Sequence, residues 1–290
     1  MELIRIDTEH ELLAYAESRI GGRVENQDSY GTADTPLGFL AVVCDGMGGG
    51  PAGKLASTIA VNAIIEYVNE ADQEKSTKDV LVEAIWKAND DIMAQGVENP
   101  ALAGMGSTCV TLLINEHSAT IAYVGDSRVY QFRGSNKIYR SFDHSMVFDL
   151  VKQKIITEEQ ARLSVQSNVI TKCLGARPEL EPDVVEVSYR SGDRFLLCTD
   201  GIHGSLPESE LIAMVTNKDA SLGQVVDEVA THVDGHGRST GGGHDNLTLL
   251  MTEMKSNSLL KSASNGKWIA AVVGAVVVLV ALVVLAFVLL

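Results

Sequence analysis

Four aspartates, Asp45, Asp126, Asp200 and Asp245, each stand where a short apolar run meets a turn, in FLAVVCDG, TIAYVGDSR, FLLCTDG and HDNLTLL. One carboxylate at a strand mouth is easily solvated, and one Asp-Gly is an ordinary turn. Four of them brought together would repel strongly unless a cation stood among them, so the repeated placement points to a hard-metal site. A fifth, Asp28 in RVENQD, also lies just outside an apolar stretch.

The elements that must position these residues fall into groups. Between Thr108 and Ser141, TCVTLLIN, ATIAYVG, RVYQF and KIYRS read as strands joined by short polar turns, and strands joined this tightly are antiparallel. Further strands are expected at Val184 to Tyr189, Arg194 to Thr199 and Asn246 to Thr252. Leu55, Ile59, Ala63 and Tyr67 form one helical ridge with Ala56, Ala60, Ile64 and Val68 beside it, and Leu81, Ile85, Ala88 and Ile92 form the stripe of a second helix. Thr157 with Gln160, and Ser205 with Glu208, have the spacing of capping boxes. Strand groups alternating with helix pairs predict an α+β layered fold rather than a doubly wound parallel sheet.

The 290 residues suit one large domain with an appendage. From Trp268 to Leu290 the chain carries no charge; as a helix at ~1.5 Å per residue this segment is about 34 Å long. It exceeds a hydrocarbon core of ~30 Å and has no polar face, which predicts one transmembrane helix at residues 268–290. Lys255, Lys261 and Lys267 precede it, so residues 1–254 are expected on the cytoplasmic side as a single-pass, tail-anchored protein, with 255–267 as a polar linker. The first dozen residues hold Glu2, Arg5, Asp7, Glu9 and Glu11, which leaves no apolar region for a secretory signal. The net charge of −15 disfavours nucleic acid as a partner. Cys44, Cys109, Cys173 and Cys198 form no CxxC pair and read as reduced core residues.

After Asp45, the segment Gly48 to Lys54 has the GxxxxGK spacing of a phosphate-binding loop. Leu55 stands where that loop needs Ser or Thr for Mg2+, and the parallel strand–helix–strand pattern is missing, so a nucleotide site is not expected. Gly49 and Gly50 read as a flexible strand-to-helix turn, and Gly46 as a position where a backbone carbonyl can approach a metal.

From Tyr15 to Thr252 the motifs RVENQDS, CDGMGG, GMGST, VGDSR, DHS, NVITKCLG, CTDG and DNLT follow one another in an order that resembles the bacterial PPM-type, or type 2C, metal-dependent protein Ser/Thr phosphatases. The resemblance implies a four-layer α-β-β-α sandwich of two antiparallel sheets flanked by helix pairs. It implies two Mn2+ or Mg2+ ions bridged by Asp45, with Gly46 giving its carbonyl, Asp200 and Asp245 completing one ion's shell, and Asp28 serving the other directly or through water. Asp126 with Asp200 would hold a third, looser ion, and Arg23 would grip the substrate phosphate. Two cations make hydroxide available near neutral pH, so no Ser or Cys nucleophile is required.

This chain departs from the family pattern at several positions. The common DGMGGHxxGExAS reads DGMGGGPAGKLAS, so Gly50 replaces His and Lys54 replaces Glu. A His proposed elsewhere as general acid falls at Met47, leaving His144 in DHS as the nearest candidate by motif. The segment 143–183 matches the family's substrate-choosing flap, where Ser167 replaces a basic residue; His203 and Gly204 also differ. The expected partners are phosphoproteins, and a Ser/Thr kinase with its targets, at the membrane. Two rival readings are a catalytically weak, membrane-bound phosphoprotein scaffold and a phosphatase of an anti-sigma-factor antagonist. Retention of all five aspartates favours an enzyme over the scaffold.

Overall fold

Residues 3–48 and 51–259 are described by a computed structural model. The expected membrane span, most of the linker, and the expected turn at Gly49 and Gly50 with its departure at Gly50 lie outside these residues. Among the described residues no helix is long and apolar enough to cross a membrane.

Two antiparallel sheets form the centre. The first orders β1 (Ile4–Ile6), β2 (Leu12–Arg19), β12 (Leu247–Met254), β11 (Arg194–Cys198), β8 (Arg128–Arg133) and β9 (Asn136–Arg140). The second orders β10 (Asp183–Val187), β7 (Ala119–Val124), β6 (Cys109–Ile114), β4 (Gly38–Met47) and β3 (Asp28–Thr35), with the short β5 (Gly106–Ser107) on β4. Alternation along the strands decides what each face covers. In β4, Phe39, Ala41 and Val43 point into the core between the sheets, while Leu40, Val42 and Cys44 face the helices α1 (Pro51–Glu70) and α2 (Thr77–Glu98). In β11, Phe195 and Leu197 enter the same inter-sheet core, and Leu196 and Cys198 face α6 (Glu208–Val215) and α7 (Leu222–Ser239). The result is the expected α-β-β-α order. The ridge of Ala56, Ala60, Ile64 and Val68 is fully buried, as is the stripe of Leu81, Ile85, Ala88 and Ile92.

The flap carries α3 (Met146–Lys152) and α4 (Glu158–Arg162) over a small core of Val147, Phe148 and Ala161. Thr157 and Gln160 form the expected reciprocal capping box before α4. The box expected at Ser205 and Glu208 does not form. Pro207 precedes α6, and the Ser205 hydroxyl donates to the Gly201 carbonyl instead, closing the preceding helical turn. Ser221 and Gln224 make an unforeseen box at α7.

The packed unit runs to Leu259, five residues past the expected boundary at 254. Lys255 N–H donates to Glu11 O, Glu11 N–H donates to Leu259 O, and Leu259 is 1% exposed in the inter-sheet core. A Ser- and Asn-rich run has no periodicity that would reveal one anchored Leu. Leu259→Ala is expected to lower stability by about 2–3 kcal/mol, read from urea unfolding of the protein. An unchanged midpoint would show that this tail does not contribute to the core.

Candidate active site

The carboxylates gather where strands of both sheets end on one side. Asp28 opens β3 and Asp45 lies near the end of β4, and the two residues are direct partners in the antiparallel register. Asp126 follows β7 in the turn to β8. Gly125, at φ +100°, makes that turn possible, and a Cβ there would meet the Thr108 side chain at 2.7 Å. Asp200 begins α5 (Asp200–His203) directly after β11, and Asp245 stands just before β12. All five expected aspartates are therefore brought into one electrostatic neighbourhood, with Asp45 influenced by Asp28, Asp200, Asp126 and Asp245.

Burial and mutual repulsion raise the pKa of Asp28, Asp45, Asp126 and Asp200. Burial, then the neighbouring carboxylates, raise Asp45 and Asp126 well above the ordinary carboxylate range. Burial raises Asp28 to about 7 despite hydrogen bonds from Thr248 and Thr199. Asp200 is raised to about 6, by burial and then Asp245, with a hydrogen bond from Asp45 opposing the shift. Asp28 Oδ1 and Asp200 Oδ1 are buried and have no hydrogen-bond partner. Orphaned buried oxygens at raised carboxylates fit cation ligands better than a structural role. Among the described residues no three His, Cys, Asp or Glu side chains form a ready-made metal cage.

Backbone positions around the aspartates are fixed by small polar residues. Thr108 N–H and the Ser107 hydroxyl donate to the Asp45 carbonyl, and Asp45 N–H donates to Thr108 Oγ1 at 2.9 Å, which explains the GMGST motif. Thr199 Oγ1 donates to Asp28 Oδ2 at 3.0 Å. Asn246 accepts from Gln27 N–H and donates to the Ile20 and Glu25 carbonyls, fastening the loop that carries Arg23. It is a clamp, not a ligand. Gly46 is required by packing as well, since a Cβ there would lie 1.9 Å from the Gly53 carbonyl oxygen.

Arg23 pairs with Asp245, Nη2 to Oδ2 at 2.7 Å, and its side chain is half exposed. With Asp126, Asp200 and Asp245 it lines a cleft of about 650 Å3 whose far wall is the flap, including Ser167. The buried, bidentate pair of Arg128 and Asp143, at 2.7 Å for both contacts, supports the flap's base, with the guanidinium stacked 4.8 Å from Phe148. His144 lies elsewhere. Its Nδ1 accepts from Gly125 N–H, its Nε2 faces Asp183 at 3.4 Å, and its ring stacks on Tyr123. His203 is buried with Nε2 on the Asp126 carbonyl at 2.9 Å, and burial holds its pKa well below normal. The phosphate-loop spacing also has a structural meaning here: Lys54 Nζ donates to the Asp28 carbonyl.

The raised carboxylates predict a proton-linked metal effect. Folded pKa values above the unfolded 3.8 mean that the metal-free domain keeps protons that a cation must displace. Saturating Mn2+ is expected to raise Tm over the EDTA-treated protein by an increment that grows from about pH 5 to about pH 7.5, measured by differential scanning calorimetry. The contribution of His203, whose depressed pKa stabilises both samples as pH rises, is common to both and cancels in the difference. A flat or shrinking increment would remove these carboxylates from metal binding.

A family model described as protein phosphatase 2C matches residues 17–240. The chain is 30% identical over 236 residues to the serine/threonine phosphatase stp of Listeria innocua, covering 80% of this chain and 88% of that one. It superimposes on the serine/threonine phosphatase of S. agalactiae with a TM-score of 0.76 at 28% identity, covering 84% of this chain and all of that one. Superposition on the catalytic domain of the serine/threonine protein phosphatase PstP, solved with two manganese ions, gives 0.72 at 26% identity, covering 86% and 99%. Sheet order, clustered carboxylates and these likenesses agree, and the chain belongs to the protein phosphatase 2C family.

Proposed function

We propose that this chain removes the phosphoryl group from phosphoserine and phosphothreonine in proteins, with two Mn2+ or Mg2+ ions at the carboxylate cluster. The observation that carries the reading is the convergence of five aspartates, two with orphaned buried oxygens, beside a half-exposed arginine at the mouth of a cleft. Asp45 would be shared by the two ions, with the Gly46 carbonyl beside it; Asp200 and Asp245 would complete the shell of one, Asp28 would serve the other directly or through water, and Asp126 with Asp200 would hold a third. Bound there, such ions supply a water acidic enough to attack phosphorus near neutral pH.

The chain's own residues do the rest. Arg23 exchanges its ion pair with Asp245 for the phosphate oxygens, where a planar guanidinium can donate two parallel hydrogen bonds. Asn246 holds the Arg23 loop at the correct distance, and Thr108 and Thr199 hold Asp45 and Asp28. Met47 cannot give a proton and His144 is turned into Asp183, so the reading leaves protonation of the departing oxygen to water in the open cleft. Ser167 at the cleft wall offers no positive charge, which shifts substrate choice away from contacts a basic residue would make. The intact set of aspartates favours hydrolysis over a binding-only scaffold.

Residues 268–290 are proposed to insert as a helix in the cytoplasmic membrane, which would place the catalytic unit beside proteins phosphorylated by a membrane-associated Ser/Thr kinase. An uncharged run of bilayer-spanning length preceded by three lysines supports this.

Full-length protein is expected to hydrolyse p-nitrophenyl phosphate and a phosphothreonine peptide with Mn2+. EDTA, Asp45→Ala or Asp200→Ala each lowers the rate on the order of a hundredfold or more. Equal rates in all samples would overturn the metal reading, and none in any would favour the scaffold. Truncation after Lys267 is expected to move the protein from the membrane to the soluble fraction. Soluble full-length protein would defeat the anchor.

A further inference from the structure

Lys54 is a positive charge built into the edge of the acidic cluster. It projects from the first turn of α1 toward β3, where Nζ donates to the Asp28 carbonyl at 2.6 Å and to Ser29 Oγ at 2.9 Å. Both bonds go to neutral oxygens. The charge is therefore not absorbed by an ion pair, and it acts through space on Asp28 and Glu25. Ser29 is itself held by Ser57 and Thr58 of α1, so the ammonium is seated in a hydroxyl-lined hollow on the Asp28 side, away from the cleft that Arg23 lines.

The two cations of the cluster differ in how they can be used. Arg23 sits on Asp245 with a half-exposed side chain and can leave it for a phosphate. Lys54 is half-buried with two hydrogen bonds fixing its head, so its charge stays beside Asp28 whatever occupies the cleft. A divalent ion approaching Asp28 meets this ammonium at a site that has only Asp28 and the shared Asp45 as carboxylates. An ion among Asp45, Asp200 and Asp245 has three.

We propose that Lys54 makes the Asp28-side cation position the weaker of the two, so that the protein binds one divalent ion tightly and takes the second only at higher concentration. The inference rests on the two-cation reading above and assigns Lys54 as a residue that sets the affinity of that second ion. Loss of the ammonium strengthens the second site and leaves the first nearly unchanged, because the charge lies on one side of the cluster.

The test is Mn2+ binding to the metal-stripped full-length chain, read from the electron paramagnetic resonance signal of free Mn2+. Wild type is expected to show a tight site and a weaker Asp28-side site, both filled before the looser third ion at Asp126 and Asp200. Lys54→Met tightens the weak site about tenfold, Lys54→Glu tightens it further, and Lys54→Arg, which keeps the charge, leaves it within about twofold of wild type. Lys54→Gln serves as a second charge-free variant, with thermal unfolding checking that each variant is folded. Equal weak-site affinities in wild type and in the folded charge-free variants would overturn the role of Lys54, as would equal shifts at both sites. Failure of wild type to bind Mn2+ at all would instead remove the two-cation reading itself.

Discussion

Repulsion among carboxylates that the fold withdraws from water is the constraint around which this molecule is organised. Asp28 and Asp45 are direct cross-strand partners, a pairing that like charges disfavour in an ordinary sheet. Asp200, Asp126 and Asp245 add to the same field. A cluster of this kind persists only if the backbone beneath it cannot relax, and three apolar cores supply that rigidity. The inter-sheet core fixes the strands, while α1 with α2 and α6 with α7 cover their outer faces. Short polar contacts from Ser107, Thr108, Thr199 and Asn246 then set the last few ångströms.

The carboxylate cluster and the opposite wall of the cleft belong to different parts of the chain. The carboxylates belong to sheet ends, which tolerate little movement. The opposite wall of the cleft belongs to the flap, which has its own small core and joins the body through the Arg128–Asp143 pair and the Phe148 contact. A departure such as Ser167 can therefore alter what enters the cleft without moving an aspartate. Lys54 is different in kind, because it reaches the cluster from the helix side and touches the backbone of Asp28.

Much of the fold was legible from local pattern. The runs expected as β6 to β12 match the structure to within two residues at each end, whereas β1, β2, β3 and β5 were not foreseen; 3.6-residue periodicity identified the buried stripes of α1 and α2. The Thr157 box formed as the spacing predicts, each end bonding the other's backbone. The Ser205 box failed because Pro207 set a different helix start and Gly201 offered the Ser205 hydroxyl a nearer acceptor. The boundary at Leu259 was hidden, since a single apolar anchor in a polar run carries no periodicity.

The amino-acid sequence alone determined the class of chemistry. Acidic residues placed repeatedly at strand ends, in the order of a known family, restricted the site to hard cations and a phosphoryl substrate. Only the tertiary structure decided which groups share a field, because Asp28 and Asp245 lie far apart in the chain and meet only through sheet pairing and the Asn246 clamp. It also decided the roles of side chains whose type is ambiguous. His144 is a packed histidine on Asp183, Asn246 is a clamp, and Lys54 is a charge beside Asp28, since hydrogen bonds depend on direction and distance that residue spacing does not contain.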